Sequence, residues 1–288
     1  VDPLGGETRH EYDDNLWQTA EIDALGNATR YDHDAQGNII RVTYADASSI
    51  TMEYDEKNLP VRLISRTRDA WSWSYDATGQ LLSRTNPLGE TTQYQYRAGL
   101  LVSILDPANR KISLEYDSAR SLEAIRWPSG ASARFARDGW GRVVKRQTEP
   151  GNQRRYHHDA MGRLVAVEEP DGNVRRMAYD GEGFLIEYQD HHRRVRLRRA
   201  GFHWLVERED ADDRAQFFHD TEGRLVAVRN ELGEVLQIER DACGRPRREV
   251  GFDGRATEYQ RNLAGWVIEE RKPSGAWTKV EHDTAGRS

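Results

Sequence analysis

The segment His158-Asp159-Ala160-Met161-Gly162-Arg163-Leu164 returns, with substitutions, from one end of the chain to the other. His219-Asp220-Thr221-Glu222-Gly223-Arg224-Leu225 is nearly a copy, and Tyr179-Asp180-Gly181-Glu182-Gly183-Phe184-Leu185 and Tyr75-Asp76-Ala77-Thr78-Gly79-Gln80-Leu81 keep its frame. Arg240-Asp241-Ala242-Cys243-Gly244-Arg245 and His282-Asp283-Thr284-Ala285-Gly286-Arg287 continue it. Gly141, Gly162 and Gly183 stand 21 residues apart, as do Gly223, Gly244, Gly265 and Gly286. Gly37 and Gly79 are 42 apart, with Asn58 in the skipped position. Such self-similarity marks a repeat array, which grows unit by unit and has no compact-domain size limit.

A second turn lies halfway between these anchors. It reads Asp2-Pro3-Leu4-Gly5, Asn86-Pro87-Leu88-Gly89, Trp127-Pro128-Ser129-Gly130, Glu149-Pro150-Gly151, Glu169-Pro170-Asp171-Gly172 and Lys272-Pro273-Ser274-Gly275. Seven of the nine prolines fall in this slot. Proline pre-sets φ for the second position of a type I turn, and the following glycine supplies the left-handed residue of a bulge. Each period therefore holds two turns separated by about six to eight residues, a length that suits strands. In a three-residue-loop register Val165 opposes Met177, Val226 opposes Ile238, and Leu82 opposes Tyr94. One face is then apolar and the other mixed.

The expected fold is all-β: a repetitive antiparallel β-hairpin ribbon forming one continuous array over residues 1–288. Two irregularities are expected. Gly183 to Gly223 is 40 residues, which shortens the region around 187–215, and the anchor aspartate is missing beside Arg97. About fourteen units with strands ~4.8 Å apart would make a ribbon on the order of 130 Å long. Open sheets beyond about ten strands twist until they curl or close, so a spiral, hollow, shell-like wall is expected. Neither terminus looks like the polar cap of a free-standing array, so the chain is expected to be a piece of a longer protein. Uncapped strand edges would make the isolated piece associate.

Composition narrows the function. A net charge of −6 with 42 Lys and Arg excludes a dedicated nucleic-acid binder, which would be basic or carry a basic stripe. Cys243 is the single cysteine, which rules out internal disulfides and cysteine-based metal clusters. No run approaches eighteen apolar residues, so no membrane-spanning helix is expected.

The linked motifs, Tyr/His-Asp-x-x-Gly-Arg-Leu and Asp/Asn-Pro-x-Gly, resemble the Rhs, or YD-repeat, family over essentially the whole chain. The resemblance implies a β-ribbon wound into a hollow shell, as in Rhs-type polymorphic toxins and the cocoon of insecticidal toxin complexes. It implies a structural, non-enzymatic segment exported from a bacterial cell that encloses and shields a C-terminal effector. The implied partners are the chain's own C-terminal toxin domain and a secretion-machinery spike or toxin-complex components. The alternative is an extracellular binding or adhesion array that recognises glycans or cell-surface partners. The family's self-cleaving core segment has no counterpart in this sequence.

No residue stands out as catalytic, metal-binding or cofactor-binding. An aspartate follows the anchor Tyr or His in unit after unit, and a group needed in every unit is structural: Asp accepts backbone N–H groups in turns. His33, His158, His219 and His282 are motif residues, expected to pack at strand ends. Asp32-His33-Asp34-Ala35-Gln36-Gly37 looks like the start of a calcium loop, but the twelfth position is Thr43 rather than a bidentate Glu. Two clusters remain as candidate cargo or partner contacts. Arg194, Arg196 and Arg198 share one strand face in a basic run, and Trp71 and Trp73 share another.

Overall fold

The computed structural model describes residues 1–148, 151–211 and 213–283. The turn expected at Glu149-Pro150 and the motif end Thr284–Arg287 lie outside the described residues. Among the described residues there are 27 strands and no helix. No helix is long and apolar enough to cross a membrane.

Two compact units are distinguished, residues 1–91 with 234–288, and residues 92–233. The first holds β1 (Arg9–Tyr12) to β8 (Leu81–Thr85) and β23 (Val235–Arg240) to β27 (Trp277–Lys279); the second holds β9 (Thr91–Arg97) to β22 (Leu225–Arg229). Within each unit the strands pair antiparallel with their sequence neighbours and touch no other strand. This is the antiparallel hairpin ribbon that the two turn motifs dictate.

Both turns are three-residue loops closed by the same pair of backbone bonds. In the anchor turn joining β3 (Ala28–His33) to β4 (Ile39–Thr43), Gly37 N–H donates to Asp34 O at 3.1 Å and Asp34 N–H donates to Asn38 O at 3.0 Å. In the spacer turn before β3, Gly26 donates to Asp23 and Asp23 to Asn27, both at 3.0 Å. The fourth turn residue takes positive φ, 90° at Gly37 and 84° at Gly26. Asn58, in the skipped glycine slot, takes the same conformation with φ 62°. Anchor hairpins add a bulge on the outgoing strand: Asp32 faces Arg41 and His33 faces Ile39, leaving Ile40 unpaired. Such bulges increase local twist.

The expected register holds where β16 (Leu164–Glu168) meets β17 (Val174–Tyr179), because Ala166 opposite Arg176 sets Val165 beside Met177. The shortening of residues 187–215 is also located. Asp190 N–H bonds Arg193 O and Asp210 N–H bonds Asp213 O, so each of these turns closes one residue earlier than the regular turn. Two lost residues account for 40 instead of 42. At the missing aspartate, Arg97 pairs directly with Leu100 and the turn residues Ala98 and Gly99 have φ 49° and 79°. A two-residue turn with both φ positive needs no aspartate to hold it.

The ribbon is a single layer, and it buries little. The chain exposes 18649 Å², against about 12,600 Å² for a compact monomer of its mass. Among the described residues, the buried apolar side chains are small: Ala20, Ala124, Ala133 and Val167. One face carries apolar residues that stay half-buried. Across β17, β18 (Leu185–Gln189) and β19 (Arg194–Ala200), Met177 opposes Tyr188 and Tyr188 opposes Val195. The other face carries the charges.

Candidate functional site

The recurring carboxylate proves to be the clamp of the anchor turn. Asp159 Oδ1 accepts the N–H groups of Met161 and Arg163, both at 2.9 Å, and Oδ2 accepts Arg163 Nε at 2.7 Å. Asp34 does the same with Gln36 N–H, Asn38 N–H and Asn38 Nδ2, each at 2.9 Å. Both Asp34 oxygens thus accept bonds within the turn. These bonds favour the ionised form. The carboxyls of Asp138 and Asp220 are held below their ordinary value chiefly by the Arg142 and Arg224 side chains. Those of Asp159 and Asp180 are lowered chiefly by the N–H groups of Arg163 and Phe184. A carboxylate held ionised is a poor general acid.

The residue preceding the aspartate does more than pack. Tyr54, Tyr75, Tyr116 and Tyr179 each donate a hydroxyl to the carbonyl fifteen residues earlier, at 3.1, 2.9, 2.8 and 2.8 Å. The acceptor is the first residue of the strand leaving the previous anchor turn, such as Leu164 for Tyr179, or the second at Leu101, where the turn before it is the two-residue one. His282 presents Nε2 to Val267 O at 2.7 Å in the same way. Arg137 and Arg261 reach Leu122 O and Pro246 O, at 3.4 and 3.3 Å. The slot therefore accepts Tyr, His or Arg because all three carry a donor at the end of a long side chain.

The last turn position links one anchor to the next. Arg163 Nη1 donates to Asp180 O at 2.9 Å, and Arg142 Nη1 reaches Asp159 O at 3.4 Å. Where tryptophan holds this position, it lies against the next motif histidine: Trp17 with His33 and Trp204 with His219 at 5.6 Å, Trp266 with His282 at 5.4 Å. His33, His219 and His282 are thereby engaged by neighbouring rings in the repeat. Among the described residues no group of three metal-ligating side chains converges.

The candidate contact residues fall on two different faces. Arg194, Arg196 and Arg198 stand in β19 on the charged face, opposite glutamates of β18 and β20 (Trp204–Glu209). Arg194 pairs with Glu187 at 2.8 Å, and Arg198 pairs with Glu207 at 2.8 Å. Arg196 lies 3.6 Å from Glu187 and 3.8 Å from Glu209. The basic run is thus a cross-strand ion-pair ladder, which sequence spacing could not show because the glutamates come from neighbouring strands. Trp71 and Trp73 stand in β7 (Ala70–Tyr75) on the half-buried apolar face, next to Leu63, with the Arg84 guanidinium 5.1 Å over the Trp71 ring. An open groove of about 550 Å³ in the second unit, bordered by Ile104, Ile112 and Trp127, belongs to the same kind of apolar surface.

The family description RHS Repeat matches residues 12–49, 75–108 and 137–174. A curated relative, "Double-stranded DNA deaminase toxin A" of Burkholderia cenocepacia (strain H111), is 30% identical over 135 residues, which is 47% of this chain and 10% of that protein. The fold resembles a chain in the crystal structure of TcdB2-TccC3-Cdc42, with a TM-score of 0.79 and 15% identity over 91% of this chain and 17% of that one. It also resembles a chain in the Photorhabdus luminescens Tc holotoxin pore carrying TccC3-D651A, with a TM-score of 0.76 and 15% identity over 97% of this chain and 18% of that one. The chain thus spans a tenth to a fifth of the length of the proteins it matches. The three matched stretches are similar to the RHS repeat, and the same paired turn motifs and consecutive antiparallel hairpins continue outside them.

Proposed function

We propose that the chain is a stretch of the wall of an exported RHS-type toxin, and that this wall encloses and shields an effector segment C-terminal to the repeats. The carrying observation is the apolar face that no second layer covers within either unit. A sheet must bury its hydrophobic face against something. A long run of half-exposed apolar side chains without a shaped pocket suits a loosely folded polypeptide better than a small ligand. The wall itself is non-enzymatic, because the repeated carboxylates are spent on turns. The fold shared with chains in Tc toxin structures and the toxin name of the curated relative support the reading.

Trp73 lies two residues before the anchor Tyr75, whereas Arg198 lies one before Arg199 in the same slot, so the two clusters occupy opposite faces of the repeat. We assign contact with the enclosed segment to Trp71 and Trp73. Arg194, Arg196 and Arg198, with charges balanced by glutamates, then face water or an outer toxin-complex partner through their remaining N–H donors.

Limited proteolysis of the full-length parent protein tests enclosure. The segment downstream of the repeats is expected to survive while the array is intact and to be digested once the array is denatured. Immediate digestion beside a resistant array would overturn the proposal and leave the binding-array alternative.

A further inference from the structure

The apolar face of the second unit is interrupted at one place by charge. Across the spacer hairpins, one position of this face holds Ile50, Trp71, Ile112, Ala133 and Val195 in other repeats. In two neighbouring repeats the same position holds Arg154 and Arg175, opposite Arg146 and Val167. Arg146 stands in β14 (Val143–Thr148), between Phe135 on one side and Arg154 of β15 (Asn152–His158) on the other. Two residues after Arg154 along its strand comes Tyr156, and two after Arg175 comes Met177, so the guanidiniums rise among apolar side chains.

Like charges directly opposite each other weaken a sheet. Here they are only partly offset. Glu169, with a side chain 13% exposed, accepts Arg154 Nε at 2.5 Å and also pairs with Arg175. One carboxylate among three guanidiniums leaves two positive charges in excess. Arg146 meets no carboxylate among the described residues. Other guanidiniums of this face are provided for: Arg208 lies 3.7 and 3.1 Å from Asp210 and Asp213, and Arg84 lies over the Trp71 ring. The excess extends beyond the cluster. Residues 132–178 carry ten Lys and Arg against six Asp and Glu, in a chain of net charge −6.

Beside the opposed arginines is a hollow of about 240 Å³, bordered by Arg146, Thr148, Asn152, Arg154 and Pro170. That is room for about eight water molecules. A guanidinium is a rigid fork of N–H donors suited to two parallel bonds to an oxyanion. We propose that Arg146 and Arg154 form an oxyanion subsite, which takes carboxylates from an acidic stretch of polypeptide lying along the apolar face. Such a chain supplies both things the surface lacks, an apolar cover for the strip and negative charge for the hollow. The assignment rests on the proposal that polypeptide covers this face.

Fluorescence anisotropy of rhodamine-labelled hexaglutamate, titrated with the 288-residue chain at low ionic strength, tests the subsite. Saturable binding that weakens as salt rises is expected, with none for labelled hexalysine. Arg146→Gln should weaken binding about tenfold or more, the worth of one hydrogen-bonded charge. Arg194→Gln, on the ion-paired face, should leave it unchanged. Both side chains are at least half exposed or half-buried at the surface, so unchanged circular dichroism confirms that the variants fold. No binding by the wild type, an unaltered affinity in Arg146→Gln, or an equal loss in Arg194→Gln would each overturn the subsite. So would binding that appears only in Glu149→Gln, which would assign the hollow to the chain's own acidic residue. Failure of enclosure is read separately, from proteolysis of the parent protein.

Discussion

Gly223→Ala is expected to destabilise the second unit by about 2–4 kcal/mol, whereas Gly172→Ala should cost only about 1–2 kcal/mol. Both glycines hold the left-handed slot of a turn, with φ 81° and 85°. An alanine there carries the backbone cost of that conformation, a cost the chain already tolerates at Ala47 with φ 63°. The difference between the two sites is what lies above them. A Cβ on Gly223 would stand 2.7 Å from the Trp204 indole, while one on Gly172 meets nothing within 4 Å. Overlap of that size forces the ring from its seat against His219. Urea unfolding of the two variants measures the gap. In the Trp204→Ala background the gap should close, because the steric contribution has gone. Equal costs at both sites would show that the indole does not rest on the glycine.

Acid is expected to unfold the array in one steep transition below about pH 4. The aspartates of the anchor turns have an ordinary value of 3.8 and are lowered in the folded chain at Asp34, Asp76, Asp138, Asp159, Asp180 and Asp220. Asp46, in a spacer turn, falls to about 2, chiefly through the Ser48 hydroxyl. A lowered folded value means that the unfolded chain binds protons more readily. The stabilisation is therefore complete above the unfolded value and is lost as pH falls through the folded ones. Each turn contributes in parallel, so the urea midpoint should drop sharply between pH 5 and pH 3. Adding salt at pH 3 should restore little of it, because the lost interactions are short hydrogen bonds rather than long-range repulsion. Full recovery in salt would assign acid unfolding to net charge instead. At neutral pH, Asp159→Ala should open only its own hairpin, since repeats are stabilised by nearest neighbours. Hydrogen exchange should speed up at Met161 and Arg163 and leave β11 (Lys111–Tyr116) protected.

Much of this fold was legible because the repeat averages over noise. One Asp-x-x-Gly is a weak turn signal, but its return at fixed spacing settled the strands, the loop length and the face of Val165. It also settled the role of Asp34, whose neighbours imitate a calcium loop. What escaped lies between repeats. The anchor Tyr or His was expected only to pack, because its acceptor fifteen residues earlier is a backbone carbonyl and leaves no trace in residue identity. A signal was present all the same: Arg137, Arg199, Arg240 and Arg261 share the slot with Tyr and His, and these residue types have a distal donor in common. The basic run of β19 looked like a free patch because Glu187 and Glu207 reach it from the neighbouring strands, Glu187 across the shortened turn Asp190–Arg193. The contact of Asp2 with Cys243, across most of the chain's length, had no sequence signal at all.

If the wall encloses a segment as proposed, the apolar face, not the ion-paired face, is the one that segment covers. Photo-crosslinking in the full-length parent tests it most directly, with a benzophenone side chain placed at position 73 or at position 198. Crosslinks are expected from position 73 to the segment downstream of the repeats and none to it from position 198. Crosslinks to that segment from position 198, or from neither position, would contradict it.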